Sequence, residues 1–131
     1  MKLLLDTHIW VWSRGEHKRL SRRVARVLSD PRNELWLSPI SLWEIFSLYR
    51  KGRLRIKDNP SAWISAALAK VPFQEATLTH EVVLATGSIV LPHRDTADIF
   101  LAASAKVYEL TLVTADDNLI RSKGFSVLAN R

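Results

Sequence analysis

Cysteine is absent from this 131-residue chain. That excludes a disulfide framework, a thiolate zinc site and a cysteine nucleophile, and it suits a reducing compartment, with the cytoplasm as the expectation. Glycine is scarce, four residues and no two of them clustered, so neither a P-loop nor a dinucleotide fingerprint is present. Long apolar runs are missing as well. The opening Met1-Lys2-Leu3-Leu4-Leu5 is interrupted by Asp6, too early for a secretory leader, and no later stretch approaches the roughly 20 apolar residues of a membrane helix. No repeat or low-complexity tract occurs. What remains, 47% hydrophobic and 24% charged residues, is the composition of one globular domain over 1–131 that can bury a core without staples. Acidic residues are the minority, thirteen against nineteen Lys and Arg, and the net charge of +6 points to a polyanionic partner such as nucleic acid. In such a chain, acids that gather in one place carry information.

Periodicity and punctuation predict strands alternating with helices. Lys2–Leu5 has the pattern of a buried strand, and Thr7–Trp12 opens a helix, followed by a polar connection over 15–19. Ser21 is suited to cap a helix over Arg22–Leu28, which Asp30-Pro31-Arg32-Asn33 stops. Glu34–Leu37 is a second strand, and Ser38-Pro39 turns into a helix from about Leu42 to Lys51, closed near Gly52. After a basic connection, Pro60 precedes a helix over Ala62–Ala69; Phe73–Leu78 is a third strand, and Thr79 caps a short helix ending before Gly87. An alanine-rich helix over Thr96–Val107, a strand Leu110–Val113, a short helix Asp116–Arg121 and a last strand Phe125–Leu128 complete the chain. The alternation implies an α/β/α sandwich around a mainly parallel sheet, whose ligands bind beyond the carboxyl ends of the strands.

Carboxylates recur at those ends. Asp6 ends the first strand, Glu44 lies just past the second, and Asp116 and Asp117 just past the fourth; Asp95 and Asp98, three apart, share one helix face. Gathered together they would raise one another's pKa unless a cation were bound, and Mg²⁺ or Mn²⁺ is the hard, oxygen-seeking choice. Such a site suits phosphodiester hydrolysis. Capping competes with this reading position by position: Asp6 before a helix, Ser41 through Glu44 as a capping box, Asp95 with Asp98, and Thr114 with Asp117. Capping does not explain why the acids follow successive strands.

Four segments, Leu3-Leu4-Leu5-Asp6-Thr7-His8, Ser38-Pro39-Ile40-Ser41-Leu42-Trp43-Glu44-Ile45, His93-Arg94-Asp95-Thr96-Ala97-Asp98-Ile99-Phe100-Leu101-Ala102-Ala103-Ser104-Ala105 and Leu112-Val113-Thr114-Ala115-Asp116, resemble the successive motifs of PIN-domain ribonucleases of the VapC toxin type. The match runs in order along almost the whole chain. The resemblance implies a PIN-like three-layer fold and a Mg²⁺- or Mn²⁺-dependent endoribonuclease acting as the toxin of a toxin–antitoxin pair. It makes Asp6, Glu44, Asp98 and Asp116 the acidic quartet, with Asp6 and Asp98 foremost as metal ligands and Asp116 beside them. Asp95 matches an extra acid of the His-Arg-Asp variant of the motif, as a ligand or as a cap. Thr96 stands where the family usually has proline. The resemblance also implies a homodimer, and an antitoxin whose tail crosses the acidic cleft.

Thr7 and Thr114 are candidates to hydrogen-bond the carboxylates or a metal-bound water, and Asp117 falls outside the pattern as a cap or solvated charge. Arg50, Lys51, Arg53 and Arg55, with Lys57, follow the Glu44 helix and are the favoured RNA-backbone contacts over Arg19, Arg22, Arg23 and Arg26; a solvated helix face is the alternative for both groups. Five tryptophans invite base stacking, although large aromatics more often build cores; Trp10 and Trp43, beside the motif acids, are the better candidates for a partner groove. His8 and His93 adjoin motif acids, but a site of this kind needs no histidine. The competing function is a non-catalytic PIN-like module that binds RNA or protein.

Overall fold

The computed structural model describes all residues, 1–131. Five strands, β1 (Lys2–Leu5), β2 (Glu34–Leu37), β3 (Gln74–Glu75), β4 (Thr111–Thr114) and β5 (Ser126–Ala129), form one sheet in the order β3-β2-β1-β4-β5. Every pairing is parallel. Seven helices connect them: α1 (Thr7–Gly15), α2 (Arg22–Ser29), α3 (Pro39–Arg50), α4 (Pro60–Lys70), α5 (His80–Thr86), α6 (Thr96–Val107) and α7 (Asp117–Ile120).

The central strands β1 and β4 are buried on both faces, as parallel strands under helical layers must be. Side chains alternate along a strand, so the sheet separates two cores. Leu3, Leu5 and Val113 face one core, with Ile9, Trp10, Val24, Ile45 and Ile64 from α1 to α4. Leu4 and Leu112 face the other, with Ala97, Leu101 and Ala105 of α6 and Leu119 of α7. The three-layer sandwich follows from this division. Right-handed crossovers account for it: the chain moves outward from β1 through β2 to β3, then returns across the sheet to β4 and β5, which puts the second set of helices on the opposite face. The direction reverses at β1, so the crevice beyond the carboxyl ends of β1 and β4 is the switch point of the sheet.

The expected mainly parallel sheet is wholly parallel. Several elements depart from expectation. β3 keeps two residues because it is an edge strand: it pairs only with Trp36 and Leu37, while Phe73 turns into the first core. α3 starts at Pro39 because Ser38 Oγ accepts from the Ile40 N–H at 3.1 Å and proline suits a first helical position. Ser41 is therefore inside the helix and fully buried, and the Ser41-to-Glu44 capping box does not form. The polar connection over 15–19 is mostly ordered backbone, with α1 running to Gly15 and a 3-10 turn over His17–Arg19. At the end of α3, Gly52 takes φ +70°, the Arg53 N–H bonds Leu48 O at 2.9 Å and the Gly52 N–H bonds Tyr49 O at 3.1 Å. This is a left-handed glycine stop, and it sets the direction of the Arg53–Arg55 segment.

Candidate active site

Asp6 leaves the end of β1 as the N-cap of α1, its Oδ1 accepting from the Thr7 N–H at 2.7 Å. Its other oxygen, Oδ2, accepts from Thr114 Oγ1 of β4 at 2.6 Å. Thr114 Oγ1 accepts in turn from the Asp116 N–H at 3.0 Å, and Asp116 Oδ1 caps α7 by accepting from Asn118 N–H and Leu119 N–H at 2.8 and 3.2 Å. One continuous chain of bonds thus joins the ends of the two central strands. Capping and gathering are not rivals here, because Asp6 and Asp116 do both. Thr7 is buried and donates its hydroxyl to Ser41 Oγ at 2.9 Å, tying α1 to α3 below Glu44.

These residues border an open cleft of about 690 Å³ lined by Asp6, Glu44, Asp95, Asp98 and Asp116. Glu44 arrives from the interior of α3, and Asp98 from the first turn of α6, where Asp95 caps the helix by accepting from the Asp98 N–H at 3.0 Å. Asp95 is therefore a cap that also lines the cleft. Burial is the main force raising the carboxyl pKa values. It pushes Asp6 up against the opposing pull of Thr114, His8 and the Thr7 N–H. Burial, with the charges of Asp6 and Asp95, pushes Glu44 up to about 7. Asp98 is pushed up to about 8 by burial and then by the charges of Asp6, Asp95, Asp116 and Glu44. The five acids therefore share one electrostatic field.

A hard divalent cation fits this donor set, which consists only of carboxylate oxygens whose mutual repulsion a positive charge relieves. No three acidic or histidine side chains close into a ready-made cage. That arrangement leaves a coordination shell that the carboxylates do not fill and water must complete, the habit of Mg²⁺.

Basic side chains reach the same cleft. Arg53 and Arg55 line it with Leu54, whereas Arg50 and Lys51 are exposed at the end of α3 and do not, although the Lys51 charge is felt at Glu44. Arg19 lines it from the α1 side, while Arg22, Arg23 and Arg26 are exposed on α2 and take no part in its lining. Asp117 pairs with Arg131 at 2.8 Å in solvent, as a charge outside the site. His8 lines the cleft and His93 does not. The expectation for Trp10 is corrected: it is completely buried, edge-on to Trp63 at 5.1 Å, and cannot line a groove. Trp43 is 52% exposed and does not line the cleft. Trp12 is the tryptophan at the site. Its signal in the sequence was the i,i+4 spacing from His8, which puts both on one helix face.

A parallel three-layer α/β domain with an acidic cleft at its switch point defines the class. Residues 3–124 match the family model described as the PIN domain, and the chain belongs to that family. Three solved structures share its fold. VapBC2 from Rickettsia felis, bound to a DNA fragment from its promoter, is 18% identical with TM-score 0.71, covering 98% of both chains. DNA-bound VapBC from Salmonella typhimurium is 16% identical with TM-score 0.67, again covering 98% of both chains. FitAcB from Neisseria gonorrhoeae is 18% identical with TM-score 0.67, covering 98% of this chain and 97% of that one. No curated protein matches the sequence.

Proposed function

We propose that the protein is a divalent-metal-dependent endoribonuclease, the toxin of a VapBC-type pair, acting on RNA in the cytoplasm. The observation that carries the reading is the convergence of Asp6, Glu44, Asp95, Asp98 and Asp116 in one cleft that Arg19, Arg53 and Arg55 also line. A phosphodiester needs both: an acidic floor for a cation and basic walls for its backbone. Asp6, Asp98 and Asp116 are the residues that would hold Mg²⁺ or Mn²⁺, which supplies Lewis acidity at the phosphate and offsets its charge.

The chain itself provides the rest. Thr114 and the Thr7 N–H fix both oxygens of Asp6, so this carboxylate meets its ligand without reorganising. Glu44, raised to about 7, is the carboxyl suited to take a proton from attacking water near neutral pH. Arg53 and Arg55 bind the RNA backbone beside the cleaved bond. The hydrolysis breaks one P–O bond, with water adding to phosphorus and the departing oxygen leaving with a proton.

Solved structures of the same fold include a toxin–antitoxin complex from Klebsiella pneumoniae and a member of the VapBC family of toxin–antitoxin systems from Mycobacterium tuberculosis, which supports an antitoxin protein as the partner of this chain. No helix is long and apolar enough to cross a membrane. Val83, Leu84 and Val90, on and just after α5, are exposed, which supports a homodimer, as the family resemblance implies. The test is cleavage of a mixed cellular RNA pool by the antitoxin-free protein with Mg²⁺, Mn²⁺ or EDTA, beside Asp98→Asn. Metal-dependent cutting lost in the variant is expected. Binding of RNA without cutting, by well-folded protein with metal present, would replace the enzyme by the non-catalytic module.

A further inference from the structure

Trp12 stands apart from the other tryptophans. One part of the indole packs on the first core and the remainder is open to the cleft, so the ring is held in place yet accessible. His8, one helical turn earlier on α1 and exposed, has its ring centroid 5.8 Å from that of Trp12 at an interplanar angle of 51°. The Arg19 guanidinium lies 4.7 Å from the Trp12 ring centre. Glu16 Oε2 accepts from Arg19 Nη1 at 3.2 Å, the only hydrogen bond Arg19's side chain makes to the protein. All four residues line the same cleft as the carboxylates.

We propose that His8, Trp12 and Arg19 form a nucleobase-stacking subsite, seating an unpaired base of the RNA next to the cleaved phosphodiester. The proposal rests on the ribonuclease reading above and adds what the substrate must look like. Three flat π groups in a row, one of them cationic, match the way proteins hold splayed-out bases of single-stranded RNA, which stack on aromatic rings and on guanidinium planes. Arg19 has two contacts, the indole and Glu16, so its guanidinium is already at the cleft wall before RNA arrives. Its other N–H groups are left for a base or phosphate oxygen. A base within a duplex is already stacked on its neighbours and cannot enter, so the subsite selects single strands, loops or bulges. These groups position the substrate and do not touch the reacting atoms.

The basic residues on the α3 side do not provide such a surface. Arg53 and Arg55 flank Leu54, and neither lies over an aromatic ring. Their contact is with the backbone charge, which is common to every nucleotide. The α1 side can therefore distinguish an intact nucleotide from one that lacks its base.

The test is steady-state cleavage of a mapped single-stranded substrate, and of the same strand carrying one abasic nucleotide at each position flanking the cut in turn. Wild type is compared with Trp12→Leu, Trp12→Phe, His8→Ala and Arg19→Gln, each first checked for an unchanged melting temperature. Stacking of one base is worth about fivefold to a hundredfold in affinity. Trp12→Leu is expected to raise KM by about tenfold with kcat nearly kept, and Trp12→Phe to restore most of it. One abasic position should weaken wild type by a similar factor and have no further effect in Trp12→Leu. Should Trp12→Leu fail to fold, the exposed His8 and Arg19 carry the same comparison. An unchanged KM in the folded variants, or equal abasic penalties in wild type and variants, overturns the subsite and leaves the nuclease standing. Wild-type protein that neither cuts nor binds RNA overturns the nuclease and the subsite together.

Discussion

Asp98→Asn is expected to make the metal-free protein more stable while abolishing its activity. The half-buried Asp98 carboxyl is raised from 3.8 to about 8, so between those values the folded state keeps a proton that the unfolded chain has released. A group of this kind stabilises the fold fully below its unfolded pKa, and the contribution falls away as pH rises toward its folded pKa. At about 1.4 kcal/mol per unit the full shift corresponds to about 6 kcal/mol. Water at the open cleft and relaxation of the neighbouring acids reduce this to an expected 2 kcal/mol or about that at pH 7.5. Asparagine keeps the shape without the charge, and the bond from the residue 98 N–H to Asp95 is retained because it is backbone. With an unfolding entropy of roughly 2.1 cal/mol/K per residue, the gain is about 7 °C in melting temperature. The assay is thermal and urea unfolding in EDTA from pH 5.5 to 8.5, repeated with Mg²⁺. Wild type should lose stability as pH rises, the variant should lose less, and Mg²⁺ should raise wild type more than the variant. A variant that is less stable in EDTA at pH 8, or a pH slope identical to wild type, would refute the crowded-carboxylate reasoning.

Four further substitutions probe separate parts of the structure. Thr114→Val removes the hydroxyl that donates to Asp6 and accepts from Asp116, and should lower cleavage by about 10- to 100-fold with a stability loss of about 1–2 kcal/mol, read by kinetics beside urea unfolding. Asp117→Ala breaks only a solvent-exposed pair with Arg131, so stability should change by less than about 0.5 kcal/mol with cleavage intact, whereas Asp116→Ala should lose both a cap worth about 1 kcal/mol and activity. Trp10→Ala empties a fully buried site against Trp63 and Phe73 and should cost about 3–5 kcal/mol in denaturant unfolding.

Strong periodicity made much of this legible. β1, β2 and α6 occupy the residues that alternation and alanine spacing indicated, because buried strands and a close-packed helix leave little freedom in composition. β3 was overestimated, since the stretch Phe73–Leu78 does not reveal by its composition that an edge strand has only one partner. The start of α3 was misjudged because Ser38 and Ser41 both look like caps, and only the chain's path from β2 decides between them. The acids were visible at strand ends, yet the bond between Thr114 and Asp6 spans residues that only sheet order makes neighbours. Arg19 looked like part of the α2 charge face. The 3-10 turn at His17–Arg19 carries it to the indole instead. Trp10 and Trp12 are two residues apart on one helix and so face different ways, a distinction that proximity to a motif does not supply.

The insertion of β4 beside β1 also bears on how the protein is made. Asp6 leaves the ribosome well before Thr114, which orients it from 108 residues further along the chain, and before Asp116, which shares its cleft. Until β4 is synthesised, the exposed side of β1 has no neighbour, Asp6 Oδ2 has no donor, and the cleft lacks a wall. A nascent chain can collect Asp6, Glu44 and Asp98 and still lack the finished site. For a protein proposed to cut RNA, this order of assembly withholds the activity from fragments and stalled chains that end before β4.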